Sequence, residues 1–334
     1  MSFNMSFKPA LFAACLVFPS AALSQCSGED LRATLTAPER AILDARTQSQ
    51  PYATGNLWRA EMDGETIYIV GTLHLDDPRL SEPMARIEPL IAQSGRVLLE
   101  MTETEEAQLS EAMSSRPEIL LLPDTTLPEL MAPAQWQAVS QAVDTYGIPP
   151  FVAAKFRPWY LMMLLSTPPC AMDQLAAMNG LDARIKAAAQ RLEVPTEALE
   201  PYDTAFRLLN AEPLDDQVDA IEFAVATQTM GEDVIVTTLD SYFEQSHAEI
   251  WQLTSVLMAR SDRYSAEEID ALIATSADTL LTQRNVAWIP VILNAARTTQ
   301  KPILAAFGAA HLAGENGVLK LLEEQGFSLT RLPF

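Results

Sequence analysis

Two apolar runs near opposite ends of the chain finish in the same way. Residues 65–75 read Glu-Thr-Ile-Tyr-Ile-Val-Gly-Thr-Leu-His-Leu, and residues 301–312 read Lys-Pro-Ile-Leu-Ala-Ala-Phe-Gly-Ala-Ala-His-Leu. A bounded run of this length predicts a buried strand, and the glycine marks where it stops. With no Cβ at that point, the chain can turn sharply or come close to a ligand. His74 and His311 then stand just past the ends of two interior strands, with Gly71 and Gly308 at the exits. In α/β sheets, ligands collect along that edge.

The pattern between the two motifs alternates short strands with helices. Asn56-Leu-Trp-Arg-Ala-Glu-Met and Glu65-Thr-Ile-Tyr-Ile-Val flank Asp63-Gly64, the strongest short hairpin signal. Ser81 is placed to cap a helix over 81–93, with Glu82 and Pro83 in its first turn and Gly95 after its end. Arg96-Val-Leu-Leu-Glu-Met predicts a strand that closes on Glu100. Prolines punctuate a helical stretch over 103–170, and Pro158 opens an apolar helix. Gly180-Leu-Asp182 starts an alanine-rich helix that runs to Arg191, and residues 194–200 predict a short strand ending at Glu200.

Helices then fill 202–298. His247, among Glu, Gln, Ser and Ala, reads as a solvated helix residue. On the last long helix Arg284 and Trp288 lie four apart and share a face, with Asn285 alongside. A helix over 315–325 and a closing strand over 327–332 complete the chain.

The first segment has a different pattern. Lys8, an apolar stretch from Pro9 to Phe18, and small residues at Ala22 and Ser24 predict a secretory signal peptide over 1–24, cleaved after Ser24. Its apolar run is too short for a membrane span, and no later stretch is long enough, so the mature chain is expected to be periplasmic or secreted. The predicted organisation is a signal peptide at 1–24, an N-terminal tail or helical segment at 25–54, and one domain at 55–334. Cys15 leaves with the signal, so only Cys26 and Cys170 remain, and an oxidising compartment invites one disulfide between them.

Charge narrows the partners. The chain carries 44 Asp and Glu against 22 Lys and Arg, a formal charge of −22. That argues against nucleic acid and anionic lipid surfaces and leaves small substrates, peptides included.

The candidate chemistry rests on residue types at strand ends. With twelve Gly and three His in the chain, chance supplies about 0.1 Gly-x-x-His match, yet two occur. Two His and a Glu are also the donor set of open catalytic metal sites, where water fills the remaining position. His74, Glu100 and His311 are therefore the expected ligands of one divalent metal, with zinc, manganese or cobalt as candidates, and that metal would activate water. Arg284, with Asn285 beside it, is the expected clamp for a carboxylate or developing oxyanion. No Gly-x-Ser-x-Gly nucleophile motif is present.

Gly71-Thr-Leu-His74, the strand-final Glu100, Gly180-Leu-Asp182, Leu199-Glu200, Arg284-Asn285 and Gly308-Ala-Ala-His311-Leu-Ala-Gly together resemble the TraB/GumN family, from about residue 55 to the end. The resemblance implies an α+β (mixed α/β) fold, a central mixed sheet surrounded by helices, with both histidine motifs and the Glu converging. It adds Asp182 and Glu200 to the site residues. That family is related to the Tiki proteases and, distantly, to the erythromycin esterases. The first relation implies a metal-dependent hydrolase of peptide bonds. The second implies a metal-free route, with one His as general base and Arg284 stabilising the oxyanion. A peptide-binding or sequestering protein is the alternative, because TraB-like members are linked to reduced peptide-pheromone activity.

Overall fold

The structure is a computed structural model that describes residues 26–260 and 264–334. The signal peptide expected over 1–24 lies outside the described residues.

The hairpin forms as its turn dictates. β1 (Leu57–Met62) and β2 (Glu65–Thr72) pair antiparallel from Leu57↔Val70 to Met62↔Glu65. Asp63 and Gly64 both take positive φ, 49° and 89°, as a two-residue turn of matching twist requires. β2 does not stop at Gly71 as the pattern suggested; it continues to Thr72. The glycine is needed there for packing instead. A Cβ on Gly71 would sit 2.5 Å from Leu312 Cδ1 and 3.1 Å from the Cα of Ala309.

Six strands make one mixed sheet in the order β4-β3-β5-β2-β1-β6, where β3 is Arg96–Leu99, β4 Thr196–Ala198, β5 Ile303–Gly308 and β6 Ser328–Arg331. β4, β3, β5 and β2 run parallel, and β1 and β6 form an antiparallel flank. The fold is α+β, as expected. β2, β3 and β5 read as near-continuous apolar runs because parallel strands bury both faces. The covering helices show why: Ile87 and Ile91 of Ser81–Gln93, Leu181 and Ile185 of Leu181–Arg191, and Trp288 and Ile292 of Gln283–Arg297 are all fully buried against the sheet. Ser81 is the first residue of its helix rather than its cap, because Pro78–Leu80 form a tight turn just before it, capped by Asp77 through a 2.8 Å bond from the Arg79 N–H.

A second core lies among helices alone. Pro133–Asp144, Pro158–Ser166 and Leu214–Thr227 enclose Val139, Leu161, Leu165 and Ile221. The segment before the hairpin is docked rather than loose. Cys26 and Cys170 form a disulfide, and Leu31 and Leu43 pack with Leu253 and Val256. Buried Arg32 meets Asp30 at 2.8 Å and Glu249 at 2.9 Å.

His247 corrects the solvated reading. It is 7 % exposed, with Nδ1 3.1 Å from Asn56 Oδ1 and Nε2 3.1 Å from the Tyr52 carbonyl. Its sequence neighbours are polar, but it opens helix His247–Met258 directly beneath the 52–56 segment, and that position buries it. Among the described residues no helix is long and apolar enough to cross a membrane.

Candidate active site

Parallel pairing brings four carboxyl ends to one edge. Thr72 is the register partner of Gly308, and Leu99 pairs with both Ala306 and Ala198. Glu100 therefore follows β3 directly, and Glu200 stands two residues past β4. His74 stands two past β2, and His311 closes the short turn Ala309–His311 after β5. The two motif copies and both glutamates converge because their strands share one direction.

Arg284 ties these ends together. Its Nη2 donates to Glu100 Oε2 at 2.6 Å and to Glu200 Oε1 at 2.6 Å, while Nε donates to both Glu200 oxygens at 3.0 and 3.1 Å. Nη1 reaches the Leu280 carbonyl at 3.4 Å and lies 3.3 Å from His311 Nε2. Leu280 belongs to the π-helical turn Asp278–Thr282 that leads into the Arg284 helix, a widened turn of the kind often found at functional sites. Trp288, one turn on, stacks under the guanidinium and donates its indole N–H to Glu200 at 2.9 Å. The fork is thus fully engaged within the protein, and none of its N–H groups is left free for the carboxylate clamp expected from sequence.

Glu100 is held as a carboxylate. Burial opposes its charge, but His311, Arg284, His74 and the Gly308 N–H, 2.7 Å from Oε1, outweigh it and draw the pKa down to about 2. His311 is 4 % exposed, and burial pushes its pKa down to about 4. Asn285 fixes its tautomer. The Asn285 amide donates to the Asn316 carbonyl at 2.8 Å, so its oxygen faces His311 Nδ1 at 2.6 Å and that nitrogen carries the proton. The Nε2 lone pair then turns to Arg284.

His74 has the opposite environment. Its side chain is 58 % exposed, and Nδ1 lies 3.1 Å from Asp182 Oδ1. That carboxylate raises the imidazole pKa to about 9, with Glu100 adding to the shift. Asp182 is in place because helix Leu181–Arg191 begins hard against the strand exit. A Cβ on Gly180 would lie 2.4 Å from the Leu73 carbonyl oxygen, and Leu181 N–H bonds that oxygen at 2.9 Å.

A cavity of about 100 Å³ opens between these ends, lined by Thr72, His74, Glu100 and Asp182 with Phe307 and Leu99 as its apolar floor. Lys186 and Glu106, paired with each other, complete its wall. The candidate residues divide between two places. His74, Glu100 and Asp182 face the cavity, while Arg284, Glu200, Asn285 and His311 form the network behind Glu100.

The donor set for a metal is not assembled in this arrangement. Among the described residues no three His, Cys, Asp or Glu side chains are grouped to hold one ion. The cation in contact with both Glu100 and His311 is the Arg284 guanidinium, and His74 is turned towards Asp182. As placed, His74, Glu100 and His311 do not fit a shared metal ion, and no step below runs through one.

The model of the TraB/PrgY/gumN family matches residues 56–331. The chain belongs to that family. No curated protein matches it.

In this TraB/PrgY/gumN chain, two contributors escaped the sequence pattern. Thr72 lies inside the first Gly-x-x-His, so its position was visible but its place in the cavity wall was not. Tyr242 donates its hydroxyl to the Gly71 carbonyl at 2.8 Å from 171 residues away, and no local signal points to it. Asn56 binds the same glycine from the other side, accepting its N–H at 2.8 Å, and His247 braces Asn56. The third histidine therefore supports the exit of the first motif.

Proposed function

We propose that this TraB/PrgY/gumN chain is an exported hydrolase of amide bonds in small substrates, with peptide bonds as the leading class. One observation carries the reading. Two groups on one cavity wall have pKa values pushed apart, His74 up to about 9 and Glu100 down to about 2. Such a pair holds one proton donor and one acceptor side by side at neutral pH.

Glu100 accepts a proton from water as the water oxygen bonds to the substrate carbonyl carbon. His74 then gives its Nε2 proton to the departing nitrogen as the C–N bond breaks. The proton on Glu100 returns through solvent to His74, and the products are a carboxylic acid and an amine. An amine leaves poorly unless protonated, so a fixed imidazolium favours amides over esters. Arg284, itself held by Glu200, keeps Glu100 placed and ionised. Export is supported by the disulfide, which persists in oxidising compartments.

The test uses purified mature chain and a defined mixture of synthetic peptides, with products read by mass spectrometry, with and without chelator. Cleavage that survives chelation and disappears in Glu100→Gln supports the proposal. Cleavage that returns only on adding zinc, manganese or cobalt would put the metal-dependent route first. Peptides retained uncut would favour a binding role.

A further inference from the structure

Three carboxylates stand in the wall of the site cavity, and each meets a cation. Glu100 is held by Arg284, Asp182 by His74 and Glu106 by Lys186. The three cations are not equally committed. Arg284 lies behind the cavity, its fork shared between Glu100 and Glu200. The proton on His74 Nε2 is the one the reaction uses. Lys186 has a side chain only 16 % exposed, and of its three N–H donors one is taken, by Glu106 Oε1. No other protein acceptor meets that ammonium among the described residues. It is therefore the cation in this wall with donors left for an anionic group on the substrate.

Its position says which group. Lys186 stands four residues after Asp182 on the helix Leu181–Arg191, so the two share a face, about 6 Å apart along the axis. Both line the cavity, and helical side chains lean towards the N-terminus, so the lysine stem runs towards the end where Asp182 holds His74. His74 protonates the departing nitrogen, which puts Lys186 on the leaving-group side of the scissile amide. In an α-amino acid the carboxylate carbon is about 2.5 Å from the nitrogen. A proton donor and an ammonium one helical turn apart suit that leaving group. The volume agrees. About 100 Å³ is less than the ~300 Å³ of the smallest sites that enclose a whole ligand, so this cavity takes a chain end.

We infer that Lys186 binds the free α-carboxylate of the leaving residue, so the substrates are peptides and acyl amino acids cut at their last amide bond. The inference rests on the hydrolase reading. Water adds at the carbonyl carbon, the C–N bond breaks, and the freed amino acid leaves with the proton from His74 while Lys186 keeps its own.

The experiment compares one peptide series as free acids and as C-terminal amides, with products read by mass spectrometry. The wild-type chain should release the last residue from the free acids. It should cut the amides about 10- to 100-fold less efficiently, the effect of one charged hydrogen bond. Lys186→Met should lower kcat/KM on the free acids by that factor, chiefly through KM, and leave the amides unchanged. Lys186→Arg should restore most of the preference. Lys186→Met alone leaves Glu106 unpaired, so the double variant with Glu106→Gln controls for folding and should show the same loss. Equal cleavage of acids and amides by the wild type, or an acid preference that survives in Lys186→Met, overturns the inference. So does cleavage lost on N-acetylation instead of amidation, which would move the anchor to Glu106. If the wild-type chain cleaves no peptide, the hydrolase reading fails by itself. Calorimetric binding of acids over amides, lost in Lys186→Met, would then still support the lysine site, and equal binding would overturn it.

Discussion

Arg284 Nη2 lies 2.6 Å from Glu100 Oε2, across 184 residues of sequence. The positive charge that keeps the cavity carboxylate ionised is therefore supplied by the helix Gln283–Arg297, and Glu200 holds that guanidinium in place. Side-chain exposures of 12 % for Arg284, 19 % for Glu100 and 8 % for Glu200 place the cluster largely out of water.

Breaking that cluster should be costly. Arg284→Met leaves two carboxylates without their partner in the interior, and loss of one member of a buried ion pair costs about 3–5 kcal/mol. Arg284→Lys keeps a charge but not the planar fork that bonds Glu200 through two nitrogens, so a smaller loss is expected. Urea unfolding of the three proteins measures both; equal stability of Arg284→Met and wild type would show that the cluster does not stabilise the fold.

The Asp182 carboxylate is the reason His74 stays protonated up to about pH 9. If His74 is the proton donor, kcat/KM should fall on the alkaline side with an inflection near 9. Asp182→Asn removes the group that raises the pKa, so that inflection should move down towards the ordinary imidazole value of 6.5. An alkaline limb that does not move in Asp182→Asn would remove His74 from that role.

Acid should weaken the fold through the two buried histidines. Burial lowers the pKa of both His247 and His311 to about 4, from 6.5. The unfolded chain then binds more protons than the folded one between pH 6.5 and 4, so stability present above 6.5 is lost as pH falls towards 4. His247→Gln should flatten part of that decline. Unfolding free energies across this window, with an unchanged slope in the variant, would count against it.

The Cys26–Cys170 disulfide closes a separation of 144 residues. In the chain-entropy view a loop of that size contributes about 5 kcal/mol, less any strain. Cys26→Ser with Cys170→Ser should lower the melting temperature by several degrees, and reductant should do the same to the wild type while leaving the double variant unmoved.

What the chain determined alone is what local chemistry decides. Asp63-Gly64 accept positive φ, so the hairpin and its register follow from a few residues. The apolar runs of β2, β3 and β5 are legible because interior parallel strands must be apolar on both faces. The repeated Gly-x-x-His and the terminal Glu100 were visible for the same reason, since strand ends are marked by where an apolar run breaks.

Tertiary structure decided the rest, because burial and charge depend on neighbours distant in sequence. His74 and His311 end near-identical phrases, yet one faces Asp182 at the cavity and the other is sealed behind Arg284 with Asn285. Their pKa values of about 9 and about 4 follow from those neighbours, not from the motif. His247 was misread because polar sequence neighbours do not report what packs above a helix start. Arg284 looked free to clamp a ligand until Glu200, 84 residues earlier, was found on its fork, a contact that exists only once β4 has joined the sheet beside β3.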